Sequence, residues 1–262
     1  MKSFVFVLLL VASLTATAKP ITAKSFLVTD PQGNSLLEKN ADDVRSIASI
    51  TKLMTAIVVL NAKQDLNEQL KLNPKNRKYN NTKLPRTLKK LSRGELLQLA
   101  IVKSDNFAAY TLCEHYVGGV ERCVADMNKQ AAEFGMMSTH FADPTGLDEN
   151  NVSNAYDLVK LVLVASRHPE ITDASQQPGV SIEIKKRWWN FGNTNPLVKR
   201  GDNVIVSKTG YIHESGGCIV MLLNTELGQR VIVLLGSKNT RTRIPEAEKI
   251  AITVSNSDIE VD

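Results

Sequence analysis

The sequence lacks low-complexity tracts, internal repeats and long apolar runs. With 14 Gly and 9 Pro among 262 residues, it does not have the composition of a collagen, a prion-like protein or a chain dominated by linkers. A membrane-spanning helix needs about 20 apolar residues, and the apolar stretch at residues 4–14 is too short. Because 43% of the residues are hydrophobic and 23% are charged, we expect a folded globular protein.

Histidine is scarce, and its four residues show no paired spacing of metal ligands. We therefore expect no metal site and no cofactor, and we interpret all four as structural or surface residues: His115, His140, His168 and His213.

The first 18 residues have the pattern of a secretory signal peptide. Lys2 supplies a short positive region, residues 4–14 are apolar, and Ala16-Thr17-Ala18 matches the small-x-small pattern of signal-peptidase sites. We expect cleavage after Ala18, which leaves residues 19–262 as a single domain. No cysteine stands at the cleavage point, so the pattern is not that of a lipoprotein. The alternative is an ordinary N-terminal strand.

Three cysteines leave at least one thiol unpaired. Gly118-Gly119 turns the chain between the two predicted helices that carry Cys113 and Cys123, so these two could come within bridging distance. An exported protein could form that disulfide, but the sequence leaves the bridged and the free states open. Cys218 lies in an apolar predicted strand and is expected to be a buried thiol.

Hydrophobic periodicity predicts strands at both ends of the chain and helices between them. The predicted helices cover residues 50–62, 94–103, 106–116, 120–134, 155–166 and 245–253. The predicted strands cover residues 25–29, 35–39, 203–207, 217–223 and 230–235. We expect an α/β (α+β) sandwich, in which one antiparallel sheet pairs the N-terminal hairpin with the C-terminal strands.

Ser49-Ile50-Thr51-Lys52 places a hydroxyl and an amine one helical turn apart. A serine hydroxyl needs an adjacent base to become a nucleophile, and a lysine in apolar surroundings loses its proton readily enough to serve. The ordinary interpretation is an N-cap serine followed by a solvated lysine. The apolar neighbours Ile50, Leu53 and Met54 argue against a solvated lysine.

Two further motifs follow along the chain. Ser104-Asp105-Asn106 lies between two predicted helices, where Ser, Asp and Asn are common N-cap residues. Lys208-Thr209-Gly210 is predicted to end a strand, and Gly210 would let a substrate backbone lie close to that edge. Each motif has an ordinary structural interpretation, but their order and spacing together favour a catalytic site.

The set of Ser-x-x-Lys, Ser-x-Asn and Lys-Thr-Gly resembles the signatures of the active-site-serine penicillin-recognising enzymes. Residues 47–56, Pro144-Thr145-Gly146-Leu147 and Asn193-Thr194-Asn195 narrow the resemblance to the low-molecular-mass D-alanyl-D-alanine peptidases, and within them to the short endopeptidases. The resemblance covers most of residues 25–250. It implies the fold shared by DD-peptidases and serine β-lactamases, a periplasmic location, and hydrolysis of D-Ala peptide bonds in peptidoglycan.

The resemblance also implies roles for the catalytic residues. Ser49 would be the nucleophile, Lys52 its base, and Ser104 the relay that returns a proton to the departing amine. The oxyanion would bind the backbone N–H groups of Ser49 and Tyr211.

The substrate-binding roles complete the implied site. Asn106 would hold Lys52 and the substrate backbone, Lys208 would bias the site positively, and Thr209 would bind a substrate carboxylate or backbone group. Gly210 would give the substrate room at the strand edge.

The implied partners are peptidoglycan stem peptides, with β-lactams as acylating inhibitors and no nucleic acid. We expect a monomer; peripheral association with the cell wall or the membrane surface stays open, as does the choice between endopeptidase and carboxypeptidase. A serine β-lactamase is the first alternative, but no Glu-x-x-Leu-Asn stretch follows Ser104 to activate a deacylating water. A cell-wall binding module without catalysis is the second.

Positive charge is concentrated in one stretch. Of the 32 Lys and Arg residues, nine lie in the basic segment, residues 71–93, which contains no Asp or Glu. Such a run is usually a solvated loop. The basic segment lies between the first two motifs. The alternative to a solvated loop is therefore that its positive charges hold peptide carboxylates near the site.

Overall fold

The computed structural model describes residues 21–201 and 203–256, so the predicted signal peptide lies outside the described residues. The strands are β1 (Ser25–Thr29), β2 (Ser35–Lys39), β3 (Arg45–Ser46), β4 (Gln69–Lys71), β5 (Lys90–Ser92), β6 (Val152–Ser153), β7 (Gly179–Ile184), β8 (Arg187–Gly192), β9 (Val204–Ile212), β10 (Gly216–Thr225) and β11 (Gly228–Ser237). The α-helices are α1 (Thr51–Asn61), α2 (Arg93–Val102), α3 (Asn106–Glu114), α4 (Gly119–Glu133), α5 (Ala155–Ala165), α6 (Pro169–Gln176), α7 (Pro196–Arg200) and α8 (Thr240–Asn256). Two 3₁₀ helices cover Ala48–Ile50 and Pro74–Tyr79.

The main sheet joins the two ends of the chain. Its five strands are antiparallel in the order β2-β1-β11-β10-β9, with Ser25 of β1 opposite Leu235 of β11. The first hairpin closes because the Asp30 carboxylate accepts hydrogen bonds from the backbone N–H groups of Gln32 and Asn34. The predicted pairing of the N-terminal hairpin with the C-terminal strands is therefore confirmed.

Both faces of this sheet are covered by helices. Along β10, Val220 and Leu222 belong to the large helical core, whereas Ile219 and Met221 belong to a smaller core, which α8 completes through residues such as Ala247. This period-two alternation is the pattern of a strand buried on both sides. The structure confirms the predicted α/β sandwich.

Helix α1 is the centre of the helical layer. It packs against α2, α3, α4 and α5, and its residues from Thr51 to Val59 are all buried. This burial explains why the sequence of α1 has almost no polar face. The helix that follows Ser49 is therefore a rigid support for the first motif.

The cysteines adopt one of the two states left open by the sequence. Cys113 near the end of α3 is bonded to Cys123 in α4, with the two Cα atoms 5.5 Å apart, and Cys218 is a buried free thiol. The disulfide fixes the two helices on either side of the Gly118-Gly119 turn.

Several elements differ from the prediction. Lys208-Thr209-Gly210 does not end a strand but lies inside β9, which continues to Ile212. Helices α6 and α7 and the β7–β8 hairpin were not predicted. The hairpin turn uses Lys185 and Lys186 with φ of 52° and 59°, and lysine lacks the Asn-Gly signal that usually marks such a turn. Within the described residues, no helix has the length and apolar character needed to cross a membrane.

Candidate active site

Ser49 lies in the 3₁₀ turn that leads into α1, and two glycines pack against this turn. A Cβ on Gly210 would lie 2.9 Å from the carbonyl oxygen of Ile47 and 3.0 Å from the backbone nitrogen of Ser49. A Cβ on Gly146, whose φ is +78°, would overlap the carbonyl of Ala48. The close neighbour of Gly210 is therefore the serine turn, which gives this glycine a packing role that the sequence did not indicate.

Lys52 is the base candidate, and its amine reaches the serine hydroxyl. Lys52 is completely buried, and its Nζ donates hydrogen bonds to Ser49 Oγ at 2.8 Å, Asn106 Oδ1 at 2.7 Å and the Thr145 carbonyl at 2.5 Å. Burial lowers the pKa of Lys52 from 10.5 to about 7, while the charges of Asp143 and Asp105 act in the opposite direction. The burial of Lys52 confirms the interpretation drawn from its apolar neighbours and excludes the alternative of a solvated lysine.

The hydrogen bonds of Lys52 also orient its lone pair. A neutral amine has two N–H donors, and the Asn106 and Thr145 oxygens accept both. The lone pair of the nitrogen then points toward Ser49 Oγ. Because Ser49 Oγ is 3.5 Å from the Thr145 carbonyl but 2.8 Å from Lys52 Nζ, the better acceptor for the serine proton is the amine.

The second and third motifs meet at Ser104 and Lys208. Lys208 Nζ donates to Ser104 Oγ at 2.7 Å and to the Thr209 carbonyl at 2.9 Å. Burial, followed by the charges of Lys52 and Arg243, lowers the pKa of Lys208 well below its ordinary value. A lowered pKa makes the amine of Lys208 easier to deprotonate. The positive charge expected from Lys208 is therefore weaker, and the amine exchanges a proton with Ser104 more readily.

Ser104 has an unusual backbone conformation. Its φ is +57°, in the left-handed region of backbone conformation that residues other than Gly and Asn rarely adopt. The following residue, Asp105, caps α3 by accepting from the Ala108 N–H at 2.6 Å, which sets Asn106 on the first turn of that helix. The geometry therefore confirms the N-cap interpretation for Asp105, while the catalytic roles of Ser104 and Asn106 stay predictions.

The remaining predicted residues, Thr209, Gly210 and Tyr211, lie in β9. Thr209 Oγ1 donates to Thr194 Oγ1 at 2.7 Å, and Tyr211 is exposed immediately beyond Gly210. The buried guanidinium of Arg243, on α8, donates to the Gly210 carbonyl at 2.6 Å. The three motifs thus come together where the 3₁₀ turn of Ser49 and the start of α1 meet the outer strand β9.

Sequence reasoning missed four residues that contact these groups: Asn81, Thr145, Thr194 and Arg243. Thr145 and Thr194 belong to the segments that carry the family resemblance, but their partners could not be read from the sequence. Among the described residues, no three His, Cys, Asp or Glu side chains form a group that could hold a metal ion.

Comparison with known proteins decides the family. The sequence profile of the D-alanyl-D-alanine carboxypeptidase family, peptidase family S11, matches residues 12–239. The chain belongs to this family. It is 34% identical to the D-alanyl-D-alanine endopeptidase of Escherichia coli (strain K12) over 248 residues, which are 91% of this chain and 79% of the relative. It is also 34% identical to the endopeptidase of Pseudomonas aeruginosa, over 88% of this chain and 76% of the relative.

Solved structures of the family have the same fold. Penicillin-binding protein D2 from Listeria monocytogenes in the cefotaxime-bound form is 27% identical with a TM-score of 0.80, covering 92% of this chain and 99% of that one. A point mutant of the Streptomyces K15 DD-transpeptidase is 26% identical with a TM-score of 0.80, covering 89% of this chain and 97% of that one. The predicted DD-peptidase fold and the assignment as a serine peptidase are confirmed.

Proposed function

We propose that this S11 family member is an exported D-alanyl-D-alanine endopeptidase that cleaves cross-links between peptidoglycan stem peptides through an acyl-serine intermediate. The observation that carries the proposal is the 2.8 Å hydrogen bond between Ser49 Oγ and the buried amine of Lys52. With its pKa lowered to about 7, this amine is neutral in a large fraction of molecules near neutral pH and can accept the serine proton.

Acylation follows from this geometry. Ser49 Oγ attacks the carbonyl carbon of a D-Ala residue and passes its proton to Lys52 Nζ, while the backbone N–H groups of Ser49 and Tyr211 bind the oxyanion. The tetrahedral intermediate collapses by breaking the C–N bond, and the departing amine takes a proton through Ser104, which balances the proton gained by Lys52. Water then attacks the acyl-serine ester; one water proton passes through Lys52 Nζ to Ser49 Oγ as the ester C–O bond breaks. This step releases the product acid and restores the Ser49 hydroxyl.

The binding roles follow from the hydrogen bonds that Asn106, Thr209 and Lys208 make in the site. The Nδ2 atom of Asn106 makes no hydrogen bond to any residue that the structure describes, so it can donate to a substrate carbonyl while Oδ1 holds Lys52. Thr209 offers its hydroxyl beside Thr194, where a substrate carboxylate or backbone group would bind. Lys208 supplies and recovers the Ser104 proton.

We also propose that β-lactams acylate Ser49 and are released slowly. Penicillin-binding protein D2 is solved in cefotaxime-bound and ampicillin-bound forms, which supports this proposal for a chain of the same family. A β-lactamase needs a free carboxylate for deacylation. Asp143 instead accepts from the backbone N–H groups of Gly146 and Asp148 at 2.7 Å, and Asp105 caps α3. This favours the peptidase over the β-lactamase alternative.

Product analysis on purified peptidoglycan distinguishes the two peptidase activities. We expect the wild-type protein to convert cross-linked muropeptide dimers into monomers, measured by liquid chromatography, and to release little free D-Ala from pentapeptide monomers. Release of D-Ala with the dimers intact would make the protein a carboxypeptidase. An unchanged digest would support the alternative of a binding module without catalysis.

The proposal places the mature protein in the periplasm after cleavage at Ala18. N-terminal sequencing of the exported protein is expected to begin at Lys19, and an intact Met1 would contradict it. Binding to the cell wall or the membrane surface and the monomeric state stay predictions.

A further inference from the structure

The basic segment, residues 71–93, is packed against the helix that carries Asn106. Arg77 lies over the Phe107 ring of α3, 4.8 Å from its centroid, and Tyr79 stacks on Tyr110 at 4.5 Å. Arg77 also donates to the carbonyls of Leu84 at 3.0 Å and Leu88 at 2.9 Å. The segment therefore packs against α3, and Arg77 stabilises this packing.

Asn81, in the middle of this segment, forms hydrogen bonds to the first and third residues of the second motif. Its Nδ2 donates to the carbonyl of Ser104 at 3.2 Å, and its Oδ1 accepts from the backbone N–H of Asn106 at 2.8 Å. The next residue, Thr82, donates its hydroxyl proton to the Asp105 carboxylate. All three residues of the motif are held by two neighbouring side chains.

The motif needs such support because its backbone is strained. Ser104 has a φ of +57°, a left-handed conformation that is unfavourable for serine and that contacts with the surrounding residues can stabilise. The amide of Asn81 bonds the Ser104 carbonyl and the Asn106 N–H, the two backbone groups that flank Asp105 and directly follow the strained torsion. It therefore fixes the peptide units that aim Ser104 Oγ at Lys208 and Asn106 Oδ1 at Lys52. Loss of these bonds would let both functional atoms move.

We propose that Asn81 is a positioning residue for acylation, acting through Ser104 and Asn106 without touching the substrate. This inference rests on the proposed function, since it assigns Asn81 to the acyl-serine reaction. Displacement of Asn106 would turn the lone pair of Lys52 away from Ser49, and displacement of Ser104 would break its contact with Lys208.

The test measures the acylation rate constant with a fluorescent penicillin on the full chain, in wild type, Asn81→Ala and Asn80→Ala. Asn80 is a matched control because its amide also makes two hydrogen bonds, both to Leu84 and both at 3.0 Å. We expect Asn81→Ala to slow acylation about tenfold to thirtyfold, the factor for losing two hydrogen bonds. Asn80→Ala is expected to slow it less than about threefold on the same scale.

Labelling stoichiometry separates positioning from misfolding. A slowed but fully folded protein reaches one label per molecule, as the wild type does, whereas a partly unfolded protein stops below it. An Asn81→Ala rate within about twofold of wild type, an equal loss in Asn80→Ala, or a rate loss explained by incomplete labelling would overturn the proposal.

A second variant keeps the test decisive if Asn81→Ala folds poorly. Asn81→Asp has nearly the same shape and removes only the Nδ2 donor to the Ser104 carbonyl, while a carboxylate oxygen can still accept from the Asn106 N–H. We expect acylation at least about threefold slower with full labelling, and an unchanged rate would contradict the proposal. Failure of the proposed function is distinguishable, because the wild-type protein itself would then not be labelled.

Discussion

Replacing Lys52 by alanine is expected to lower the rate constant for acylation by a β-lactam by about a thousandfold or more. The variant removes the only amine that hydrogen-bonds Ser49 Oγ among the described residues, and loss of a general base in a serine site has effects of this size. Stopped-flow or gel-based labelling with a fluorescent penicillin measures the rate.

Two controls distinguish a role of Lys52 as the base from a structural role or a purely electrostatic one. Lys52→Arg keeps a positive charge but cannot lose its proton, so it should be as slow as the alanine variant. Lys129, whose side chain is 70% exposed in α4, should tolerate alanine without effect. Rapid acylation of Lys52→Arg would show that charge alone suffices and would contradict the assignment of Lys52 as base.

The same assignment predicts the pH dependence of the wild-type protein. Because the pKa of Lys52 is about 7, the neutral form decreases below that pH by about tenfold per pH unit. The acylation rate should therefore rise with pH and level off above about pH 7. A flat profile between about pH 5 and pH 9 would mean that no group with this pKa takes the proton.

The sheet and most helices could be predicted because local signals and burial pattern agree. Asp30 and Gly33 specify the first turn, and an uninterrupted apolar run along β10 specifies a strand covered on both faces. The three motifs could be located because each is short and contiguous. The prediction failed at the β7–β8 hairpin, where Lys185 and Lys186 adopt positive φ without a typical turn sequence.

The support around the motifs could not be predicted from the sequence because it depends on contacts between distant residues. Thr145 contacts Lys52 through its backbone carbonyl, a group that every residue has, so no residue type reveals it. Asn81 lies in a stretch whose obvious property is positive charge, while its function depends on an amide facing Ser104 and Asn106. The close approach of Gly146 to the serine turn likewise becomes visible only in three dimensions.

Ser49 forms the acyl intermediate in the proposed reaction, and replacement of this residue has the second large expected effect. Ser49→Ala should lose labelling by penicillin and cleavage of muropeptide dimers completely, because no other hydroxyl hydrogen-bonds Lys52 Nζ within the described residues. Ser46→Ala, three positions earlier, is the matched control, since the Ser46 hydroxyl is buried without a hydrogen-bond partner. This control should keep both activities and the melting temperature of wild type.

The most direct measurement is peptide mapping by mass spectrometry after incubation with benzylpenicillin. We expect one penicilloyl adduct per molecule, located on Ser49, persisting after excess drug is removed, and absent from Ser49→Ala. An adduct on another residue, labelling of Ser49→Ala, or rapid drug turnover without an adduct would contradict this expectation.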